Sequence, residues 1–184
     1  MSKILFSFLS CIILILNSCT TTTQEEEEGT NDGIAGLWYS TDHKSSKIRC
    51  LVAIYQYQQM YYGRILVTYD GKGHTVDTIL TQKDRAPGVV GNPPYCGLDF
   101  IYNVHATGGY NDGSPTYKGK IIDPEKGKEY SAQLWRDGND LIVRGELWIF
   151  GKNIRWFRAP KEALPKGFSA KEIQNFVPKV PELN

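Results

Sequence analysis

The sequence lacks most of the features that announce a chemistry. It has no run of lysines and arginines, and its 21 basic residues are balanced by 20 acidic ones. That balance removes the electrostatic footprint of a nucleic-acid-binding protein. His43, His74 and His105 are scattered without metal-ligand spacing, and His74-x-x-Asp77 is a weak pair on a loop. No Gly-x-Ser-x-Gly elbow, Ser-His-Asp order, phosphate loop or Cys-His pair with a supporting motif occurs. No metal or cofactor is therefore expected. No enzyme is marked either, although two acids flanking a cleft would leave no motif. The most apolar stretch, Ile4 to Leu16, falls short of the roughly 20 residues that a membrane-spanning helix needs.

What is present begins with that stretch. Lys3 precedes it, and a short apolar run behind a positive residue suits a secretory signal. Leu16-Asn17-Ser18-Cys19 follows at once and resembles a bacterial lipobox. The resemblance implies cleavage before Cys19, a diacylglycerol on its sulfur and acylation of its amino group. Two or three acyl chains hold a protein on a membrane far more firmly than one. Thr20 to Asp32 has no apolar residue and four adjacent glutamates, so it cannot offset its ordering entropy and reads as a tether. The expected division is a signal over 1–18, lipidated Cys19 and tether over 19–33, a β domain over 34–160 and a tail over 161–184. The expected location is the cell envelope, outside the cytoplasm, on the periplasmic face of an outer membrane or the cell surface. Removing Lys3 and the five acidic residues before Gly33 leaves 20 basic and 15 acidic side chains in the domain and tail.

Four cysteines are present. Cys11 leaves with the signal and Cys19 is the lipid site. Cys50 and Cys96 remain in an oxidising compartment, where they either pair or stand as separate buried thiols.

From Gly36 onward, apolar and aromatic residues alternate with polar ones between turn signals, the pattern of a half-buried antiparallel sheet. Eight strands are predicted: 36–41, 47–57, 60–69, 98–106, 116–122, 128–136, 140–149 and 153–158. Gln58-Gln59, Asn111-Asp112-Gly113, Asp137-Gly138-Asn139 and Phe150-Gly151-Lys152 mark turns. Asp123-Pro124-Glu125-Lys126-Gly127 also reads as a turn, with Asp123 accepting from backbone N–H groups, Pro124 presetting φ and Gly127 taking positive φ. A meander of eight strands leaves open edges unless it closes, so the predicted fold is all-β, an eight-stranded up-and-down barrel. Trp38, Trp135, Trp148 and Trp156 supply large apolar area to its core. A short helix is predicted over Ser169–Phe176, with Ser169 as N-cap and Glu172 completing a capping box. The long connection Asp70–Gly97 breaks the rhythm. It holds an optional extra strand around His74–Leu80 and is a candidate lid.

Two resemblances follow from these residues. Gly36-Leu37-Trp38, Asp84, Asn92-Pro93, Gly97-Leu98, the block Gly119 to Tyr130 around Asp123-Pro124, Leu141-Ile142-Val143-Arg144-Gly145 and Trp156-Phe157-Arg158 occur in order. They resemble the family catalogued as domain of unknown function 2147. The spacing from Asp84 to Asn92 exceeds that of the family. The opening Gly-x-Trp and closing Arg also resemble lipocalin-like barrels, which implies that Arg158 covers Trp38 and closes the barrel base through a cation–π contact.

These features point to an envelope protein binding a small apolar or amphipathic ligand at the barrel mouth, under the Asp70–Gly97 loop. Asn92, Tyr130 and Arg144 are the candidate polar contacts. Arg144 pairs with Glu146 or Asp123 in the alternative reading. A structural module binding a protein or the cell wall is the competing function; it predicts a filled barrel and an exposed patch of Tyr61, Tyr62 and Tyr69.

Overall fold

The computed structural model describes residues 33–42, 44–147 and 150–184. The expected signal, Cys19 and the tether as far as Asp32 lie outside the described residues, as do His43 and Trp148. The strands in chain order are β1 (Gly36–Thr41), β2 (Ile48–Tyr57), β3 (Met60–Tyr69), β4 (Thr75–Thr78), β5 (Asp99–Asn111), β6 (Ser114–Asp123), β7 (Lys128–Asp137), β8 (Asp140–Leu147) and β9 (Phe150–Arg158). A 3₁₀ turn, Lys161–Ala163, and the helix α1, Ala170–Ile173, follow.

Each strand except β4 pairs antiparallel with the next around a ring, and β1 pairs with both β2 and β9, so the barrel closes. Trp38 sits opposite Arg158, and Tyr39 opposite Phe157, at the seam. The barrel thus has eight strands, and β4 is a ninth that lies along β3, pairing Val67 with Thr78 and Thr68 with Asp77.

The turns follow from local chemistry. Gln58 (φ 47°) and Gln59 (φ 69°) form a two-residue hairpin, as do Asp112 (φ 47°) and Gly113 (φ 82°), with both central residues left-handed. The β5–β6 hairpin is longer than predicted because Gly108 and Gly109 do not end β5. They fall where its register with β6 slips, between Ala106 and Tyr110.

The predicted turn at Phe150-Gly151-Lys152 is corrected: Leu147 already pairs with Phe150, and Glu146 with Gly151. Gly151 is a strand residue whose missing side chain makes room for Arg144, since a Cβ there would strike its guanidinium. The helix is also shorter than predicted. The Ser169 N–H donates to Glu172 Oε2 at 2.7 Å, but beyond Ile173 the bonds tighten to Asn175 N–H on Glu172 O and Phe176 N–H on Ile173 O.

Alternation disappears where both faces of the wall are covered. β2 is buried continuously from Leu51 to Tyr55, and β3 from Gly63 to Val67. Val52 and Ile54 join the interior core with Trp38, Leu134, Val143 and Trp156. Leu51, Ala53, Leu66 and Val67 face outward, where the tail covers them with Leu164, Phe168, Ile173 and Phe176. Two bulges adjust this arrangement. Leu51 pairs with Val67 but Val52 with Ile65, so Leu66 is an extra residue that joins Val67 in the outer cluster. Arg64 pairs with Asp99 but Gly63 with Ile101, so Phe100 is extra, and both Phe100 and Ile101 join the inner core.

A buried ion pair ties the tail down. Arg64 donates from Nε to Asp99 Oδ1 (3.0 Å) and from Nη2 to Asp99 Oδ2 (2.6 Å), and the Tyr55 hydroxyl donates to Asp99 Oδ1 at 2.9 Å. The same guanidinium donates to Val177 O at 2.6 Å and lies 4.2 Å from the Phe176 ring centroid. Lys179 N–H donates to Asp99 Oδ2. Both charges are sealed from water, and the tail backbone supplies the remaining partners such a pair needs.

Candidate functional site

The two ends of the barrel differ. At the base, where the chain enters, Ile34 and Trp38 are fully buried and fill the interior. Trp38 Nε1–H donates to Ile34 O at 3.0 Å. The Arg158 guanidinium lies 5.0 Å from the indole and Arg136 lies 4.9 Å from it, so two cations pack on one ring. Each such contact contributes about 0.5–2 kcal/mol. Arg136 carries no sequence motif; only its position two residues after Leu134 on β7 hints at the base.

The opposite end carries the long connection, the β1–β2 and β6–β7 turns, and a hollow of about 440 Å³. Its apolar lining comes from Ile65, Val76, Tyr95, Phe100 and Ile122. The Phe100 bulge turns that ring inward, where it stacks on Trp156 at 6.1 Å and forms part of the floor. Thr68, paired with Cys50, lines the wall, and its hydroxyl is buried with no hydrogen-bond partner among the described residues. Asp84, Asp123 and Glu125 stand on one side of the mouth, and Arg49 lies on the β2 side.

The connection over this mouth is held at three places. Asp77, which is buried, accepts from Thr78 N–H (2.8 Å), Lys83 N–H (2.7 Å), Asp84 N–H (2.9 Å) and the Thr81 hydroxyl (2.5 Å). Burial opposes its ionisation, but these donors outweigh it and hold the carboxyl below its ordinary value. Gly88 N–H donates to Pro124 O at 3.0 Å, and Gly88 lies against Gly127 so closely that a Cβ would strike the Gly127 backbone. The chain end completes the fastening: Val90 N–H donates to Glu182 O, and Asn184 Nδ2 to Pro87 O at 3.0 Å.

Asp123, Pro124 and Gly127 form a turn. Asp123 Oδ1 accepts from the Glu125 and Lys126 N–H groups at 3.1 Å, and Gly127 has φ 63°. Burial raises the Asp123 pKa, but the Lys126 ammonium at 2.8 Å and the turn N–H groups bring it below the usual value. Burial is also the main force lifting the Tyr95 hydroxyl pKa, with Glu125, Asp123 and Asp84 adding to it in that order.

Cys50 and Cys96 are free thiols, so the bridge left open by the sequence is not formed. Cys50 lies on β2, while Gly97 and Leu98 bond to Ile65 on the other edge of β3. One strand separates the two cysteines, and two strand spacings of about 4.8 Å each exceed the Cα reach of a disulfide. Burial pushes the Cys50 thiol up to about 11, against the Ser40 hydrogen bond and Arg49, and the Cys96 thiol up to about 12. Neither is a thiolate nucleophile at neutral pH.

The three expected ligand contacts are not brought together. Arg144 lies on the outer wall, where it donates to Asn153 Oδ1 at 3.3 Å, because Leu141 and Val143 take the inward positions of β8. Asn92 is an exposed loop residue with φ 46° whose N–H donates to Val89 O. Tyr130 is half-buried near the mouth end of β7, opposite Ile121. The tyrosines expected as one exposed patch are also separated. Tyr61 packs edge-on against Tyr117, Tyr62 stacks on Tyr55, and Tyr69 meets Tyr39 near the mouth. Sequence reasoning missed Arg64 and Asp99, and named Asp77 only as a weak partner of His74, which instead meets Asp70 at 3.1 Å. A charged residue inside the apolar run Gly63-Arg64-Ile65-Leu66-Val67 was the available signal for Arg64. Among the described residues, no three His, Cys, Asp or Glu side chains gather to hold a metal ion.

The fold has a solved counterpart. The chain is similar to the structure titled "Protein HP1028 from the human pathogen Helicobacter pylori belongs to the lipocalin family", with a TM-score of 0.57 and 18% identity over 78% of this chain and 97% of that one. The similarity establishes a lipocalin-like barrel and no more. No curated protein matches the chain. A family pattern described as "Uncharacterized protein conserved in bacteria (DUF2147)" matches residues 36–158, from the base glycine to the base arginine. The closed barrel and this match, which spans every strand of it, place the chain in the DUF2147 family.

Proposed function

We propose that the chain is a lipid-anchored protein of the cell envelope whose barrel mouth takes a small apolar or amphipathic ligand. The observation that carries the ligand half is the asymmetry of the barrel. The base is filled by Trp38 and Ile34, while the mouth keeps a 440 Å³ hollow, and ligand sites are usually concave, largely apolar and furnished with a few polar groups. The anchoring half is supported by the signal-like start and the Leu16-Asn17-Ser18-Cys19 sequence. The family match and the lipocalin-like fold are compatible with ligand binding without naming a ligand.

Native mass spectrometry of the protein isolated from its host tests the ligand half. The wild type should retain a small molecule that Val76→Trp loses, since Val76 is half-exposed on the rim and an indole there fills the opening without disturbing the core. A wild type that carries nothing and gains no stability from apolar compounds would favour the interaction module instead.

A further inference from the structure

The outer wall of the barrel is hollowed on one side. In β6 to β9, Tyr117, Leu134, Val143 and Ile154 face the interior, so the residues next to them point outward. Lys118, Gln133, Arg144 and Asn153 therefore form one outer row, each paired with the next across four neighbouring strands. Thr107 and Tyr110 of β5 line the same hollow as this row, a space of about 510 Å³. On an even wall β5 and β9 would stand four strand spacings apart, about 19 Å. The end of the β5–β6 hairpin leans over the wall to close that distance. The register slip between Ala106 and Tyr110, with Gly108 at φ 74°, supplies the bend.

Two more hollows continue this one. Toward the base it shares Asn111, Trp135 and Asn153 with a space of about 490 Å³, and toward the middle of the wall it shares Lys118 and Gln133 with one of about 390 Å³. Together they make an open trough, apart from the mouth. Trp135 forms its floor, only 8% exposed although it faces outward. The indole N–H meets no acceptor among the described residues, yet it is not sealed from solvent. A nearly buried indole with an idle donor, in the lining of two adjoining hollows, offers that donor to whatever occupies them. Tyr110 stands beside it, 73% exposed. The rest of the central hollow is mostly hydroxyl, amide and cation, and no Asp or Glu lines either it or the hollow toward the middle of the wall. Lys118, which belongs to both, is exposed and has no ion-pair partner among the described residues.

We propose that this trough binds a saccharide bearing a carboxylate. A pyranose ring has an apolar C–H face, which suits the rings of Tyr110 and Trp135. It also has an edge of hydroxyls, which suits the amides of Gln133 and Asn153 and the indole N–H. The sugar carboxylate meets Lys118 and Arg144 in a lining that holds no competing acid. A purely apolar ligand would leave the row from Lys118 to Asn153 without use, and a bare anion would leave the two rings without use. The site lies outside the barrel and needs nothing from the mouth.

Three probes separate the possibilities. Tetragalacturonate has rings and carboxylates. Its full methyl ester has the same rings without the charge. Tetraglutamate has the side-chain carboxylates without the rings. NMR titration of the full chain follows the Trp135 indole N–H resonance, assigned by its loss in Trp135→Phe. Tetragalacturonate should move that resonance and bind about tenfold tighter than either of the other probes. Lys118→Gln should weaken tetragalacturonate about fivefold and leave the ester unchanged. Tyr110→Ala, at an exposed position, should weaken both sugars about fivefold. Val76→Trp, at the mouth, should change none of these values. Tetraglutamate or the ester binding as tightly as tetragalacturonate overturns the proposal. So does binding of none of the three, binding that survives both trough variants unchanged, or binding lost in Val76→Trp. Failure here leaves the mouth reading standing, since that is decided by the molecule retained from the host.

Discussion

Asp77 holds four donors of the connection over the mouth, and it does so as a carboxylate. Because its native pKa is lowered, its contribution is fully present above the ordinary carboxyl value of 3.8 and disappears as the pH falls through the native one. The connection should therefore loosen only in strong acid, below about pH 4. Asp77→Ala should loosen it at neutral pH, costing about 2 kcal/mol and speeding amide exchange at Lys83 and Asp84. Unchanged exchange would remove Asp77 from its role. Arg64→Ala leaves Asp99 buried and unpaired, and urea unfolding should show a loss of about 3–5 kcal/mol. Cys50 and Cys96 give a check on register: unfolding without reductant should allow both to be alkylated, visible as two adducts by mass spectrometry, whereas a bridged pair would take none.

At the scale of elements, the legible parts are those governed by alternation and turn chemistry. The barrel strands, the Gln58-Gln59 hairpin and the Asp123–Gly127 turn follow from residues a few positions apart. The misread parts depend on neighbours distant in sequence. Gly151 looks like a turn residue until Arg144 is seen to occupy its space. Arg64 looks like a surface cation until the tail and Asp99 enclose it. Arg144 falls on the face of β8 opposite Leu141 and Val143, and that face is the outside of the barrel, away from the mouth. The tail itself was visible as a short helix, yet what it covers was not, because the continuous apolar run in β2 fits either a buried strand or a one-sided one. Removing 161–184 should expose Leu51, Leu66 and Val67 together. Such a patch favours self-association, so the truncated chain should elute as aggregates on size exclusion while the full chain does not.

For the whole molecule, the anchoring proposal makes a direct prediction. Cells given an alkyne-bearing fatty acid should label the wild-type chain, and Cys19→Ser should abolish the label and release the protein from the membrane fraction. Equal labelling of the two would end the anchoring proposal and leave the barrel and its mouth untouched.

The position of the chain's entry has a further consequence. Gly33 and Ile34 lie at the plugged base, beside Trp38, at the end opposite the hollow. A tether running from a lipid on Cys19 to that base would hold the molecule by its floor, as a cup is held by its foot. The opening would then look out into the aqueous space, and a cargo would be taken from the water rather than drawn out of the bilayer beneath.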